Sequence, residues 1–527
     1  MRFFNTAGPV SCADHYCLPP LERFNLEEVL FLIAQKKYFV LHAPRQTGKT
    51  SCLLALMAYL NQSDQYRCLY INVEAAQTAR ENIEQGIDSV LRELASRAEV
   101  HLNESFPESI LDRMLTGEGY GTALNRCLTA WTRKLDKPLV LLIDEIDTLV
   151  GDTLISVLRQ IRSGYDKRPD HFPQSIVLCG VRDVRDYRIH SDTEKEIITG
   201  GSAFNIKAES LRLGDFTADE VRRLYDCHTA DTGQQFESDV LPRIWELTRG
   251  QPWLVNALGY EVCFKTKAVR EQSVPITSDM IDTAKEDLIL RRETHLDQLV
   301  DKLNEDRVRR IIEPVLLGRD LGNIRQDDIQ YLIDLGLLTR TPEGLEIANP
   351  IYREIIPREL TLVTQYNLEP RFQPAWYLLP DGLLDMNGLL TAFQSFFREN
   401  AEHWVERFDY REAGPQLLLQ AFLQRVINSG GDIHREYGLG RGRTDLFVVW
   451  RHENGRQKVV LELKLLHRSL KKTMAEGLTQ TAAYMDRCGA EEGHLILFDR
   501  RPDKTWEEKI FRREEDVGRK QIVVWGM

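Results

Sequence analysis

The chain has 527 residues, of which 43% are hydrophobic and 28% charged, and its formal net charge is −12. At roughly 150 residues per domain, this length predicts about three or four domains and excludes a single small binding module. The composition excludes a disordered chain and a coiled-coil rod. The negative charge argues against wrapping of nucleic acid by the whole protein, but it permits one local basic surface.

No apolar run reaches the roughly 18 residues that a membrane-spanning helix requires. Residues 1–5 lead into polar sequence rather than into a signal-peptide core. These features predict a cytoplasmic protein with no membrane partner. The nine cysteines are odd in number and scattered, without the close pairs of a zinc site, so they are expected to be reduced structural thiols.

Short apolar runs alternate with helical patterns from residue 38 to residue 260, which predicts a mainly parallel sheet covered by helices. From residue 216 the patterns are helical only, and a capping sequence stands at residues 216–220. These helices are expected to form a lid behind the sheet. The predicted strands are residues 38–42, 68–73, 139–143, 175–180 and 204–213.

A further helical unit is expected between residues 270 and 360. Helical patterns at residues 307–317 and 326–335 precede a predicted β-wing at residues 336–347, an order typical of a winged helix. The second helix begins with two acids that oppose phosphate contact, so a protein-packing role and a DNA-reading role stay equally open. Prolines then break the periodicity, which predicts a connector.

A Gly-Lys-Thr sequence stands between the first predicted strand and an apolar helix. In this context backbone N–H groups and the helix N-terminus surround phosphates, Lys49 reaches their outer oxygens, and the Thr50 hydroxyl binds magnesium. Ala43 stands where the usual first glycine is expected, so the turn must tolerate a Cβ atom. The predicted cofactor-binding residues of this loop are Pro44, Arg45, Gln46, Thr47, Gly48, Lys49, Thr50 and Ser51.

Two acids follow the apolar strand at residues 139–143. Ligands of parallel sheets bind at the carboxyl ends of the strands. Asp144 is therefore predicted to join the magnesium shell, and Glu145 to be the base that orients the attacking water. ATP and Mg²⁺ are the predicted cofactors, and the pair favours hydrolysis over binding alone, although slow, switch-like hydrolysis stays open.

These motifs resemble those of AAA-like and STAND-type P-loop ATPases over residues 1–360. The resemblance implies that Arg182, after the strand at residues 175–180, senses the γ-phosphate. It also implies that Gln251 and Pro252 abut the nucleotide. A nucleotide-dependent homo-oligomer is a further expectation. Residues that precede the first strand often contact the base in such proteins, and here these are His15, Tyr16 and Arg23.

Near the C-terminus, two strand-like runs flank Asn454-Gly455, a strong hairpin signal. If these two residues form the turn, Asp445 faces Lys464. Opposed residues share a face and side chains alternate along a strand, so Asp445, Glu462 and Lys464 all project to one side of the hairpin.

Two acids and a lysine suit metal-assisted phosphodiester cleavage. Asp445 and Glu462 are predicted to hold Mg²⁺, and Lys464 to position water or stabilise charge. The alternative is a cross-strand salt bridge on a solvated face. Residues 434–472 contain ten Lys or Arg against four Asp or Glu. This local positive charge favours binding of a polyanionic substrate. Gln480 and Tyr484, four residues apart in a helical pattern, can brace the substrate or the lysine.

An α-β-β-β-α-β order over residues 395–527 resembles the restriction-endonuclease-like PD-(D/E)xK fold. By this resemblance Asp445 is the metal aspartate, residues 462–464 are the E-x-K element, and residues 480–484 match the Q-x-x-x-Y motif of RecB-like members. No proline precedes Asp445. The first helix, residues 416–426, offers Gln420 and Gln424 rather than a glutamate, and Glu436 is the substitute candidate.

The predicted α/β architecture has a P-loop ATPase core (1–215), a helical lid (216–269), a winged-helix-like domain (270–360), a connector (361–394) and a PD-(D/E)xK nuclease-like domain (395–527). The predicted function is ATP hydrolysis coupled to magnesium-dependent cleavage of nucleic acid, with DNA favoured. One alternative is a regulatory STAND-type switch whose nuclease fold is inactive and binds DNA or a partner. A translocating motor is the other alternative.

Overall fold

The computed structural model forms two compact units, Met1–Leu288 with Arg325–Thr339 (unit 1) and Ile289–Ile324 with Arg340–Met527 (unit 2). The residues that the structure describes are 1–117, 119–183, 188–191, 196–199, 204–265, 270, 274–291, 302–303, 305–316, 321, 324–342, 344–360, 377–407, 419, 422–423, 431–439, 442–452, 455–466, 469–499, 501 and 504–527.

Before the lid, the described residues of unit 1 form the strands β1 (Tyr38–His42), β2 (Arg67–Asn72), β3 (Leu139–Asp144), β4 (Ser175–Gly180), β5 (Arg188–Ser191), β6 (Glu196–Thr199) and β7 (Lys207–Arg212). Five of them form one sheet in the order β2-β3-β4-β1-β7, in which every neighbouring pair is parallel. The prediction of a mainly parallel sheet is confirmed. β1 and β4 have the predicted bounds, whereas the β5–β6 hairpin has no counterpart among the predicted strands.

Helices cover both faces of this sheet, because the residues that point to either face of β3 and β4 are buried. Leu139 and Leu141 pack in the core beneath one set of helices, and Val140 and Leu142 pack in the core beneath the other. Strands that are buried on both faces have continuous apolar runs in their sequence. The helices before the lid are α1 (Leu26–Ala34), α2 (Lys49–Gln62), α3 (Ile83–Leu102), α4 (Phe106–Gly117), α5 (Tyr120–Thr132) and α6 (Gly151–Ser163).

The predicted lid helices are present as α7 (Ala218–Thr232), α8 (Val240–Thr248) and α9 (Pro252–Phe264). The predicted cap is a capping box, in which the Thr217 side chain and the Glu220 side chain each bond to the other residue's backbone. An N-terminal arm, residues 1–18, packs on these helices. The Tyr16 hydroxyl lies 3.1 Å from Nδ1 of buried His228, and burial lowers the pKa of this histidine.

The expectation that all cysteines are reduced is wrong for two of them. Cys12 and Cys17 form a disulfide in the N-terminal arm, while the other seven are free thiols. The physical reason is a local turn: the N–H groups of Asp14 and His15 both donate to the Ser11 carbonyl. This turn brings the two Cα atoms to 5.3 Å, within the range that a disulfide spans.

The segment from residue 270 to residue 360 contains α10 (Ser278–Arg291), α11 (Asp306–Leu316), α12 (Gln326–Asp334) and α13 (Pro350–Leu360), with strands β8 (Leu338–Thr341) and β9 (Gly344–Ile347). The two predicted helices and the predicted wing strands are therefore confirmed as elements. The border between the units cuts this segment, since α12 belongs to unit 1 and α11 to unit 2.

Unit 2 contains a six-stranded sheet of order β10-β11-β12-β13-β15-β14. Its strands are β10 (Gly431–Leu439), β11 (Gly442–His452), β12 (Gly455–Leu466), β13 (Glu492–Asp499), β14 (Phe511–Val517) and β15 (Lys520–Gly526). The helices described around this sheet, after residue 377, are α14 (Met386–Arg407), α15 (Leu470–Cys488) and α16 (Trp506–Lys509). Strands β10 to β12 are antiparallel, whereas β12, β13 and β15 are parallel neighbours.

Two features of unit 2 differ from the prediction. The border at residues 394 and 395 falls inside α14, and Leu384 and Leu389 already pack in the core of this sheet. Residues before position 395 therefore already pack in the core of this sheet. Strands β14 and β15 extend the sheet beyond the predicted order. The predicted helix at residues 416–426 lies almost wholly outside the described residues, which include only Leu419, Phe422 and Leu423 of it.

The predicted pairing of the β11–β12 hairpin is wrong by two positions. His452 pairs with Gly455, so Gly455 begins a strand instead of completing the turn, and Leu446 pairs with Leu461. The predicted pairing of Asp445 with Lys464 is excluded by this register. A shift by two positions leaves every residue on the same face of the sheet, so the shared face of Glu462 and Lys464 is unaffected.

Candidate functional site

The loop between β1 and α2 has the backbone conformation that phosphate loops require. Gly48 has a φ of 94°, a left-handed value that favours glycine, and it stands directly before α2. Ala43 donates its N–H to the Gly180 carbonyl at 3.2 Å, which extends the β1–β4 pairing by one residue. Because Ala43 continues the strand, its Cβ atom is tolerated where the usual pattern has glycine.

The polar side chains of this loop are held in place by hydrogen bonds. Lys49 is 5% exposed, and its Nζ atom donates to the carbonyls of Ala43 and Pro44, each at 3.0 Å. Thr47 Oγ1 donates to the Pro44 carbonyl at 2.8 Å. Arg45 and Gln46 are exposed, and Ser51 Oγ accepts from the Val10 N–H at 2.9 Å.

The structure brings the two halves of the predicted magnesium site together. Thr50 Oγ1 donates to Asp144 Oδ2 at 2.7 Å, across 94 positions of sequence. Asp144 is fully buried at the end of β3. Its Oδ2 atom also accepts from the Tyr70 hydroxyl at 3.1 Å, and its Oδ1 atom accepts from the Glu145 N–H at 2.9 Å.

Glu145 follows β3 in a left-handed conformation with a φ of 56°. This unusual backbone angle for a non-glycine residue is held by Thr148, whose hydroxyl donates to the Glu145 carbonyl at 2.7 Å. Burial raises the pKa of the Glu145 carboxyl, and nearby Lys49 acts in the opposite direction. A raised pKa makes the ionised carboxylate a stronger proton acceptor.

An open cleft lies beside the loop and is formed within unit 1, with a cavity volume of about 130 Å³. The N-terminal arm and the lid meet there, since Trp253 Nε1 donates to the Thr6 carbonyl at 2.9 Å. The residues expected near a nucleotide that line the cleft are Tyr16, Arg23, Gln46, Thr47, Gly48, Ser51 and Pro252. The remaining lining residues are Asn5, Thr6, Ala7, Gly8, Val10, Cys17, Leu18, Pro20, Cys52, Phe216, Leu224, Trp253 and Asn256.

The turn before α9 requires glycine at position 250. A Cβ atom at this position would lie 1.9 Å from the Phe216 carbonyl oxygen, so only glycine fits. Gln251 caps α9 by accepting the Leu254 N–H at 2.6 Å, and Pro252 takes the first helical position. The turn thereby sets Pro252 and Trp253 at the cleft. His15 does not line it, because its Nδ1 atom accepts from the Ser11 N–H at 3.0 Å.

Arg182 lies at the carboxyl end of β4, packed against α12. Its guanidinium carbon is 4.7 Å from the centre of the Tyr331 ring, and its Nε atom is 3.8 Å from Asp334 Oδ2. A second arginine from the same sheet edge, Arg212, donates to the Ile333 carbonyl at 3.1 Å. The strand ends on the phosphate-loop side of the sheet are therefore joined to α12.

The AAA-like domain family matches residues 21–357 of the chain. This range includes the phosphate loop, the acidic pair and the whole five-stranded sheet. The chain belongs to the AAA-like domain family. This membership agrees with the parallel sheet of a P-loop ATPase, and the resemblance of this part of the sequence to AAA-like ATPases is confirmed.

Solved structures similar to this AAA-like protein include the Walker-type ATPase PABY2304 of Pyrococcus abyssi, at 16% identity and a TM-score of 0.46 over 67% of this chain and 99% of that one. Cdc6p of Pyrobaculum aerophilum is 15% identical, with a TM-score of 0.37 over 67% and 96%. The RuvB Holliday junction branch migration motor of Thermotoga maritima is 15% identical, with a TM-score of 0.34 over 64% and 96%. A search of curated proteins found no match.

No helix that the structure describes is long and apolar enough to cross a membrane. In the same part of the chain, no three side chains of His, Cys, Asp or Glu converge as a metal site. A nucleotide-bound Mg²⁺ does not need such a cluster, because it takes one or two protein ligands beside phosphate oxygens and water. The Thr50–Asp144 pair of the AAA-like domain fits this donor set.

In unit 2, the structure brings Glu462 and Lys464 together on β12. Lys464 Nζ donates to Glu462 Oε1 at 2.7 Å, and the Glu462 side chain is only 3% exposed. Both lie on the sheet face that α15 covers, since their neighbour Val460 packs there with Tyr484. Leu461 and Leu463 point into the opposite core. Gln480 is exposed on α15, one turn before buried Tyr484.

Several predicted residues of this second cluster fall outside what the structure describes. Asp445 and Glu436 lie in strands β11 and β10, but their side chains are outside the described part, and Gln420 and Gln424 are outside it entirely. The cluster is therefore described only for Glu462, Lys464, Gln480 and Tyr484.

The sequence does not predict several site residues, namely Tyr70, Phe216, Trp253 and the arm residues 5–8 and 10. Each reaches the site through a tertiary contact rather than through a local motif. Tyr70 is hidden inside an apolar strand, where a tyrosine is ordinary core material. Trp253 directly follows the Gly-Gln-Pro turn, and this adjacency is the signal that could have identified it.

Proposed function

We propose that the protein is a magnesium-dependent ATPase whose nucleotide state controls magnesium-dependent cleavage of nucleic acid by unit 2. The observation that carries the first part is the 2.7 Å hydrogen bond between Thr50 and Asp144 beside buried Lys49. A threonine hydroxyl and a buried carboxylate in this position are the protein ligands of a nucleotide-bound magnesium ion.

In the proposed hydrolysis, each polar side chain of the site has one role. Lys49 donates to phosphate oxygens, and Mg²⁺ beside Thr50 and Asp144 supplies charge neutralisation. Glu145 accepts a proton from water as the water oxygen bonds to the γ-phosphorus. The bond from this phosphorus to the β,γ-bridging oxygen breaks, so ADP and phosphate leave. Arg182 is proposed as the γ-phosphate sensor.

Substitution of Glu145 by glutamine tests this assignment. Glu145→Gln is expected to lower the ATP turnover number by about 10²–10⁴-fold, the usual contribution of a general base, with nucleotide affinity retained. Turnover by the parent should fall as the pH is lowered, because protonation of Glu145 removes the base. The midpoint of this fall should lie above the ordinary glutamate pKa of 4.5, because burial raises the pKa of Glu145. The rate of phosphate release, measured as a function of pH, gives the turnover numbers and the pH midpoint. Circular dichroism shows whether the variant is folded.

Glu81→Gln is the matched control, because Glu81 is a carboxyl residue of the same unit outside the loop and the acidic pair. Its Oε2 atom accepts the Asp152 N–H at 2.7 Å. This variant should retain parent turnover. Equal turnover in Glu145→Gln and the parent would contradict the role of Glu145.

A specific observation favours the nuclease part of the proposal. Glu462 is almost fully buried and holds Lys464, whose side chain is 27% exposed, so a shielded carboxylate and an accessible cation lie side by side. If the β11–β12 register continues by one residue beyond Leu446, Asp445 stands opposite Glu462. Two carboxylates at that place would suit Mg²⁺, which supplies Lewis-acid activation of water. The water oxygen would bond to phosphorus as the bond to one ester oxygen breaks, and the proton that the water loses would balance the proton that the leaving alkoxide takes up.

Helix α12 supports the proposed coupling. Arg182 and Arg212 contact it from the sheet edge at which the nucleotide is expected, and the chain runs from α12 into β8 and on to unit 2. If Arg182 moves when γ-phosphate binds, its contacts with Tyr331 and Asp334 change, and the position of α12 changes with them. Coupling of this kind needs an element with two arrangements that the ligand distinguishes.

The competing function is a regulatory ATPase in which unit 2 binds DNA or a partner without cleaving it. It is favoured by the fact that a Glu–Lys ion pair is also an ordinary structural feature of sheets. Incubation of the purified protein with plasmid and linear DNA, with and without Mg²⁺, separates the two. Cleavage that requires Mg²⁺ supports the nuclease, and DNA left unchanged across metals and nucleotides supports the regulatory ATPase.

A further inference from the structure

A buried tyrosine on the neighbouring strand touches the carboxylate of the proposed magnesium site. Tyr70 lies on β2, in which Asn72 pairs with Asp144 of β3. The Tyr70 hydroxyl donates to Asp144 Oδ2 at 3.1 Å, and the Tyr70 side chain is 3% exposed. This hydrogen bond joins two strands of the sheet through buried side chains.

The donors around Asp144 divide its two oxygens between them. Oδ1 accepts the Glu145 N–H at 2.9 Å, and Oδ2 accepts both the Thr50 hydroxyl at 2.7 Å and the Tyr70 hydroxyl. Thr50 is itself a proposed metal ligand, and Glu145 is bonded through the backbone. Tyr70 is therefore a side-chain donor that orients Asp144 without being part of the phosphate loop or the acidic pair.

The Tyr70 ring is itself held in one position. It packs in the core beneath α2 with Val140 and Leu142, and the guanidinium carbon of Arg97 lies 5.6 Å from its centre. Arg97 Nε in turn donates to Glu93 Oε1 at 2.8 Å. A ring fixed in this way can hold a carboxylate in one orientation, as the residues behind metal ligands do in other metal sites.

We infer that Tyr70 is a positioning residue of the magnesium site, which holds Asp144 Oδ2 toward Thr50 and thereby sets how strongly Mg²⁺ increases the affinity for ATP. This inference rests on the proposed ATPase function. Without the Tyr70 hydroxyl, Asp144 keeps the Glu145 N–H on Oδ1 and the Thr50 hydroxyl on Oδ2, but it loses the donor that comes from β2. Loss of such a supporting contact costs about 10- to 100-fold in metal affinity in other proteins.

The test is Tyr70→Phe in the full chain, which removes only the hydroxyl. ATP binding is measured calorimetrically in EDTA and then at increasing Mg²⁺ concentration. We expect the affinity in EDTA to stay within about twofold of the parent, and the Mg²⁺ concentration at half-maximal effect to rise about tenfold. In an Asp144→Asn background, Tyr70→Phe should cause no further rise, because the oriented carboxylate is already lost.

Tyr38→Phe is the matched control. Tyr38 is fully buried on β1 of the same sheet, and its hydroxyl donates to the Pro173 carbonyl at 2.9 Å, at the opposite end of the strand from the loop. An unchanged Mg²⁺ midpoint in Tyr70→Phe, or an equal shift in Tyr38→Phe, overturns the inference while the ATPase proposal stands. A parent protein whose ATP affinity does not depend on Mg²⁺ overturns the proposed function itself.

Discussion

Lys49→Ala is expected to weaken ATP binding by at least about 100-fold, or about 2.7 kcal/mol, the size of one or two charge-assisted hydrogen bonds. Lys49 is 5% exposed, and its ammonium group donates to two backbone carbonyls of the loop. Alanine removes the cation, so the carbonyls of Ala43 and Pro44 hydrogen-bond to water instead. Titration of a fluorescent ATP analogue measures the loss directly.

Lys134→Ala is the control for this prediction, because Lys134 is an exposed lysine in the same unit. It should bind ATP as the parent does. The thermal midpoint of both variants without nucleotide should match that of the parent, which separates lost binding from lost folding. Parent-like affinity in Lys49→Ala would mean that the nucleotide does not bind at this loop.

Glu462→Gln is expected to reduce magnesium-dependent DNA cleavage on the order of 10²–10³-fold, the cost of one lost electrostatic contact in a transition state. Glutamine keeps the shape of the side chain but removes the charge that Lys464 and a metal ion would share. ATP hydrolysis should be unchanged, because Glu462 belongs to the other unit. The initial rate of plasmid nicking at saturating Mg²⁺ is the measurement.

Glu476→Gln provides the comparison, since Glu476 is an exposed acid on α15 with a long 3.9 Å ion pair to Lys472. Its cleavage rate should equal that of the parent. If both variants cleave DNA at the parent rate, Glu462 has a structural role only. A loss of cleavage in both would instead indicate a general charge effect of the surface.

The phosphate loop could be predicted from the sequence because its chemistry is local. Gly48, Lys49 and Thr50 are consecutive, and the strand and helix around them have clear apolar patterns. The pairing of Thr50 with Asp144 could also be predicted, since parallel strands place their carboxyl ends at one edge. Tyr70 could not, because its hydroxyl meets Asp144 only through the order of strands in the sheet.

The register of the C-terminal hairpin shows a second limit. Moving the turn by one residue changes each pairing by two positions, and side chains alternate with a period of two. Leu446 and Leu461 face the same core in either arrangement, so hydrophobic patterning cannot choose between them. The disulfide between Cys12 and Cys17 has a similar origin, because it depends on a turn whose hydrogen bonds are not visible in the cysteine spacing.

The most direct test of a nucleotide-controlled nuclease is DNA cleavage by the parent and by Lys49→Ala, each with Mg²⁺ and with ATP, ADP or no nucleotide. The account predicts that cleavage by the parent changes with the nucleotide, whereas Lys49→Ala cleaves at one level in all three conditions. DNA that stays intact throughout, or equal cleavage by the two proteins in every nucleotide state, would contradict it.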